Sequence, residues 1–289
     1  MLPIHKIIWI ENTTKSRTKR KNEPHETMDD LEQVKSYVKA YEWGGPTSAL
    51  QLYHLRNLSS LIKPGDLVID LACGPGPLLI ELACLFPGAQ FIGVDLSPTM
   101  LTHLQMEADR LGLKNISTLC EDISLLPSIK NQQINMVITT SALHHLPDEN
   151  ILTLVFQRIA SILSVDGGFY MFDFGLLKSN TSRDLFVKEV SKLAPPITAR
   201  DYELSLQAAY PIDTVFRIAE SNLPKPFKAS RSAFFDFFYF LHTSPRAIPS
   251  NEISTKLKEH WHTLSLNHKF EYLSLRFLAK NKYFLENLS

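Results

Sequence analysis

Between residues 66 and 175, short β-branched apolar runs alternate with stretches whose apolar residues recur at helical spacing. The runs are LVIDL (67–71), QFIGVD (90–95), ISTLC (116–120), INMVITT (134–140) and GFYMFDF (168–174). Helical stretches lie between them at 77–86, 98–111 and 148–163. Pro77 and Pro98 suit first helical positions, Ser97 suits an N-cap, and Gly112 suits a helix stop. Strands separated by helices of this length connect as right-handed βαβ units in a parallel sheet. The pattern therefore predicts an open, doubly wound α/β fold, with a ligand at the carboxyl ends of the strands.

The flanks follow other patterns. Residues 1–30 read as a polar tail with five basic residues packed into 15–21 (KSRTKRK). Such a run is either a solvated segment or an arm for nucleic acid. Residues 31–62 read as an N-terminal helical cap, broken at Trp43-Gly44-Gly45-Pro46. The core spans 63–245 and carries a helical insert at about 176–210. Residues 226–243 are predicted to close the sheet with an antiparallel strand, the aromatic run at 234–240 being buried there. Residues 246–289 form a mainly helical extension, although 269–279 also fit a strand.

Composition narrows the function classes. Thirty Lys+Arg balance thirty Asp+Glu over 289 residues, which argues against nucleic acid as the main partner. With 44% hydrophobic and 21% charged residues the chain can bury a sizeable core. Cys73, Cys84 and Cys120 are too few for a disulfide framework or a zinc site, so no metal site is expected and a reducing, cytoplasmic setting is. The densest apolar run, FFDFFYFL at 234–241, falls far short of the ~20 residues of a membrane span, and the N-terminus lacks the pattern of a signal peptide.

The candidate chemistry begins where the first strand enters a loop, D-L-A-C-G-P-G-P at 70–77. Small residues at 72, 74 and 76 let a ligand approach the backbone. The helix starting at Pro77 aims its unpaired N–H groups into that space. The second strand ends in Asp95, where doubly wound folds place a carboxylate for ribose hydroxyls. A dinucleotide fingerprint requires a third glycine where Leu79 stands, and no Gly-Lys-Ser/Thr follows as in a P-loop. Asp70 suits a ligand carrying a cationic amino group and a sulfonium better than it suits a pyrophosphate.

The segments VIDLACGPG, IGVDLS, EDI (121–123), TTSALHHLPD (139–148) and VDGGFYMFD (165–173) together resemble a class I S-adenosylmethionine-dependent methyltransferase of the small-molecule, HHLPD-containing type. The resemblance covers about 66–175 and, more weakly, 205–223. It implies a seven-stranded Rossmann-like sheet with helices on both faces, S-adenosyl-L-methionine as cofactor and S-adenosyl-L-homocysteine as product. It further implies that Asp70 supports the methionine amino group, and that backbone at Ala72, Gly74 and Gly76 lines the methionine portion. Asp95 then binds the ribose, Leu96 packs on the adenine, Asp122 and Ile123 read the adenine edge, and Ser141 and Ala142 lie beside the sulfonium. Ala72 departs from the glycine frequent in the family.

Methyl transfer from a sulfonium needs alignment and exclusion of water more than a catalytic side chain. Where a base helps, His144 and His145 are the candidates, and adjacent histidines are expected to face different ways. The acceptor pocket is expected from 30–60 and 176–210, with Tyr41 and Arg200 as its leading residues and Tyr37 and Asp173 among the others. TTSALHH stands where methyltransferases of nucleic-acid amino groups carry an Asn-Pro-Pro-Tyr-type segment, which favours a small-molecule acceptor. Transfer to protein or RNA, and cofactor binding without transfer, remain the alternatives.

Overall fold

A computed structural model describes residues 4–24, 31–192 and 194–279. Among them, seven strands form one sheet: β1 (Leu67–Leu71), β2 (Gln90–Asp95), β3 (Ile116–Cys120), β4 (Ile134–Thr140), β5 (Leu163–Phe174), β6 (Lys228–Arg231) and β7 (Phe238–His242). Their spatial order is β3-β2-β1-β4-β5-β7-β6. The first five run parallel, β7 is antiparallel to β5, and β6 is antiparallel to β7. Strand order therefore reverses between β1 and β4, and the crevice beyond their carboxyl ends is the place this topology offers a ligand.

Helices cover both faces, with end signals that act as the sequence predicts. In α5 (Pro98–Arg110), Ser97 accepts a hydrogen bond from the Met100 N–H. In α6 (Glu149–Ile162), the Asp148 carboxylate accepts from the N–H groups of Asn150 and Ile151. In α4 (Pro77–Leu85), Gly76 turns the chain with φ of 68° and Pro77 opens the helix. Space requires glycine there too, since a methyl group at 76 would stand 2.5 Å from Leu104 Cδ1.

Because both faces of the sheet are covered, its central strands read as continuous apolar runs. On β5, Tyr170 and Phe172 join the layer built by α3 (Ser48–Leu58) and α4, while Phe169 and Met171 join the layer built by α6 and α9 (Ile212–Asn222). The first layer also holds His54 of α3, which is buried against the Tyr170 hydroxyl at 2.8 Å.

Three regions refine the sequence expectation. Residues 269–279 belong to a helix, α11 (Leu266–Ala279), rather than a strand. Tyr272 anchors it on α3 by accepting from Arg56, and the exposed Leu266, Phe270, Leu273 and Phe277 recur at helical spacing. It follows α10 (Asn251–Thr263), so the C-terminal extension is helical as far as 279. The strand β5 starts at Leu163, directly after α6, and Gly168 rather than Leu163 resumes the continuous pairing with β4.

The N-terminal stretch is the third. Rather than a free polar tail, Ile4–Thr13 is a helix, α1, and 14–24 form a strap over α7 (Asn180–Val190) and α8 (Pro196–Ala208). Its charges are answered inside the molecule. Glu11 is buried and accepts from the N–H groups of Lys178 and Ser179 just before α7. Arg17 pairs with Asp236 at 2.7 Å and donates to the Leu176 carbonyl, and Arg20 donates to a cluster of carbonyls described below. The other parts of the expected tail, 1–3 and 25–30, and residues 280–289 of the C-terminal extension lie outside the described residues. No helix among the described residues is long and apolar enough to cross a membrane.

Burial pushes the His54 imidazole down to about 3 from its ordinary 6.5. Between those values the unfolded chain binds a proton that the folded chain refuses, so acidification below 6.5 withdraws stability at about 1.4 kcal/mol per pH unit from this group. His54→Gln removes that dependence. Denaturant titrations of parent and variant should show the parent's advantage shrinking from pH 7 to pH 5; a pH-independent difference would exclude the assignment.

Candidate functional site

The carboxyl ends of β1, β2, β4 and β5 bring most of the predicted residues together. Asp70, next to last in β1, is buried. Burial first, and the nearby Asp95 second, push its carboxyl up to about 8. Asp95, the last residue of β2, has its own carboxyl raised by burial, partly offset by hydrogen bonds from backbone N–H groups. Its Oδ2 accepts from Gly74 at 2.8 Å and its Oδ1 from Ser97 at 2.9 Å. One carboxylate thus ties the loop after β1 to the start of α5.

The loops at this edge hold non-glycine residues in left-handed backbone conformations. Ala72, after β1, has φ of 55°, and Ser141, after β4, has φ of 53°. The first explains why glycine is favoured there, since a Cβ in this region costs roughly 1–2 kcal/mol. Both flank the point where strand order reverses, a common location for stored strain at ligand sites. Ala142 and Ile123 are buried beside this edge, whereas Leu96 is 44% exposed. The Asp122 carboxylate accepts from the Ser124 N–H, so it caps its own turn.

Helix α2 (Leu31–Tyr41) packs on α5 and α8 and carries two stacked tyrosines, Tyr37 and Tyr41, with ring centroids 4.5 Å apart. The Tyr37 ring stands at the cofactor loop, where a methyl group on Gly74 would lie 3.8 Å from its Cε1. Burial, then Tyr41, then Asp95 and Asp70 raise the Tyr37 phenol well above its ordinary value. Tyr41 is raised by burial and, in smaller part, by the Asp173 charge, against a hydrogen bond with Tyr37.

His144 and His145 lie in a 3-10 turn, Leu143–His145, between β4 and α6. The expectation that they face different ways fails, because this turn brings their rings together, tilted by 35° with centroids 4.2 Å apart. Both reach one carboxylate, Glu23, with His145 Nδ1 at 3.2 Å and His144 Nε2 at 3.6 Å. Burial opposes charge on His145, but the Glu23 carboxylate outweighs it and raises the imidazole. Burial likewise opposes the Glu23 charge, and the two histidines with the Ser205 hydroxyl together outweigh it, lowering that carboxyl. Behind His144, Asp173 of β5 accepts from its ring at 2.7 Å and from its backbone N–H at 2.9 Å.

The structure does not bring Arg200 to this site. Its guanidinium pairs with Glu203 on the surface of α8 and is 62% exposed. The sequence reading missed Glu23 and Arg20. Arg20 donates to the carbonyls of His144, Leu146, Pro147 and Ala208, and lies 3.9 Å above the Tyr210 ring. It holds the strap on the histidine turn and so positions Glu23. The only signal was a basic run closing on a glutamate, a pattern shared with solvated segments.

Comparison with known proteins agrees with this architecture. Residues 62–209, just over half of the chain, match the model of a methyltransferase domain. A curated relative, uncharacterized protein RP789 of Rickettsia prowazekii, is 35% identical over 77 residues, 25% of this chain, and the match spans only 14% of that protein's length. Among solved structures, a SAM-dependent methyltransferase from Aquifex aeolicus has 15% identity and a TM-score of 0.52, covering 74% of this chain and 98% of its own. The plantazolicin methyltransferase BpumL in complex with SAH has 14% identity and a TM-score of 0.56, covering 90% of each chain. With half its length matched by the domain model and its sheet shared with such enzymes, this chain belongs to the methyltransferase domain family.

Proposed function

We propose that the protein transfers the methyl group of S-adenosyl-L-methionine to a small-molecule acceptor. The observation that carries the reading is the buried Asp70, with the half-buried Asp95 near it, beside a loop of small residues. A carboxyl kept mostly protonated near neutral pH by burial becomes favourable to ionise when a cation enters beside it. The amino group of the methionine portion is such a cation, and Asp70 receives it. Asp95, already oriented by the N–H groups of Gly74 and Ser97, offers its remaining lone pairs to the ribose hydroxyls. Backbone at Ala72, Gly74 and Gly76 lines the methionine chain. Exposed Leu96 receives the adenine, Asp122 and Ile123 its edge, and Ser141 and Ala142 the sulfonium end.

When bound, the cofactor supplies an electrophilic methyl group on a sulfonium sulfur. The residues of this chain then have three tasks: to orient, to exclude water and to take a proton. Tyr37 and Tyr41 cover the crevice. The acceptor lies between Tyr41 and the histidine pair, where His144, held by Asp173, presents Nε2 for the acceptor's proton. Arg200 is withdrawn from this site, since its charge is spent at the surface.

The reading is supported by the similar fold of the plantazolicin methyltransferase BpumL, solved in complex with a monoazolic desmethylPZN analog and SAH. The sequence feature favouring RNA, the basic run at 15–21, has Arg17 and Arg20 committed to internal partners. Incubation with methyl-labelled cofactor and fractionated cell extract tests the acceptor class. Label in the small-molecule fraction is expected; label only in protein or RNA, or none, would overturn the reading.

The Asp70 assignment predicts a proton balance. At pH 7 a carboxyl of about 8 is mostly protonated, and ionising it against the ligand's ammonium releases its proton. Titration calorimetry with S-adenosylhomocysteine in buffers of different ionisation enthalpy should show close to one proton released, and markedly less in Asp70→Asn. Equal release in both proteins would remove Asp70 from the ligand.

A further inference from the structure

We infer that Glu23, His144 and His145 bind a divalent transition-metal ion beside the cofactor crevice, and that this ion receives the acceptor. The inference about the acceptor rests on the proposed function; the binding of the ion does not.

The three side chains come from two distant stretches of chain, the N-terminal strap and the turn after β4. One potential ligand atom from each lies within 4.8 Å of the others. Oxygen and nitrogen ligands about 2.1 Å from an ion, at angles between octahedral and tetrahedral, stand about 3.0–3.4 Å apart. The separations here are 3.2 Å from His145 Nδ1 to one Glu23 oxygen and 3.6 Å from His144 Nε2 to the other.

His144 supplies the second observation. Its Nδ1 faces a carboxylate oxygen at 2.7 Å, so that nitrogen carries the proton and Nε2 presents a bare lone pair. Nε2 is buried, with the residue only 2% exposed, and has no hydrogen-bond partner. Glu23 at 3.6 Å is beyond hydrogen-bond reach. A buried acceptor without a partner is costly, and a cation in front of it removes that cost. Asp173 is itself fixed, because its oxygens also accept from the backbone N–H groups of His144 and Phe174. A carboxylate that holds the far nitrogen of a ligating imidazole is the usual outer shell of a metal site.

Two imidazoles and one carboxylate suit zinc or iron(II), not magnesium or calcium, which take oxygen ligands. Three protein ligands leave positions open for an acceptor. With the ion bound, His144 Nε2 is a ligand rather than the acceptor's base, and the ion instead eases loss of the proton from an acceptor hydroxyl coordinated to it. Ligation also joins the strap to the catalytic edge, since Glu23 follows Arg20 on the same segment.

Cobalt(II) is the probe, because its visible absorption bands report tetrahedral or five-coordinate nitrogen and oxygen ligation. The full chain, stripped with chelator, is titrated with cobalt(II) and then with zinc(II), and S-adenosylhomocysteine binding is measured on the same samples. One equivalent of cobalt(II) should bind with visible bands and be displaced by zinc(II). Glu23→Ala and His145→Ala should each weaken binding at least about tenfold, and Asp173→Asn roughly 10- to 100-fold, as for outer-shell partners. His262→Ala, on exposed α10, should leave it unchanged. No saturable binding, or binding indifferent to both Glu23→Ala and His145→Ala, overturns the metal site. Loss of metal with S-adenosylhomocysteine still bound defeats this inference alone; metal bound without S-adenosylhomocysteine defeats the cofactor reading alone.

Discussion

A buried carboxyl, Asp70, and a half-buried one, Asp95, at the ends of neighbouring parallel strands, constrain everything around them. Asp70 and Asp95 each raise the cost of ionising Asp70, one by its burial and the other by its charge. Such a pair survives in a folded protein only if neighbouring groups share the load. Asp95 is served by the N–H groups of Gly74 and Ser97, which also lock the loop against α5. Asp70 keeps its proton near neutral pH. The arrangement is therefore unfavourable for an anion and ready for a cation, and the preference for a positively charged ligand is built into the end of the sheet.

Around that pair the chain assembles cover from segments outside the alternating core. Tyr37 stands over the loop, Tyr41 continues toward Asp173, and the strap brings Glu23 to the histidine turn. The strap is held by Arg20 on backbone carbonyls of the very turn that carries His144. In the proposed reading, the core strands serve the cofactor and N-terminal segments contribute to the acceptor side.

This division explains what could be read from the amino-acid order. The five parallel strands were legible because burial on both faces forces short continuous apolar runs, and proline, serine and aspartate mark the helix starts. The loop after β1 and Asp95 were legible because close backbone approach demands small residues and a strand end demands a purpose for its charge. The strap was illegible: Arg17 and Arg20 look like any solvated basic run, and their partners lie at Leu176, Asp236, His144 and Leu146, far along the chain. Arg200 misled for the converse reason, because a charged residue in a flanking helix is more often paired with its own next turn, here Glu203. The close approach of the His144 and His145 rings depends on a 3-10 turn that no periodicity announces.

The central claim is that the crevice between β1 and β4, under Tyr37, is where the methyl donor binds. A crystal structure of the chain with S-adenosylhomocysteine tests it most directly. The account predicts the amino group at Asp70, the ribose on Asp95 and the Tyr37 ring against the ligand. Ligand bound elsewhere, or an ordered ligand in that crevice with its ribose away from Asp95, would contradict it.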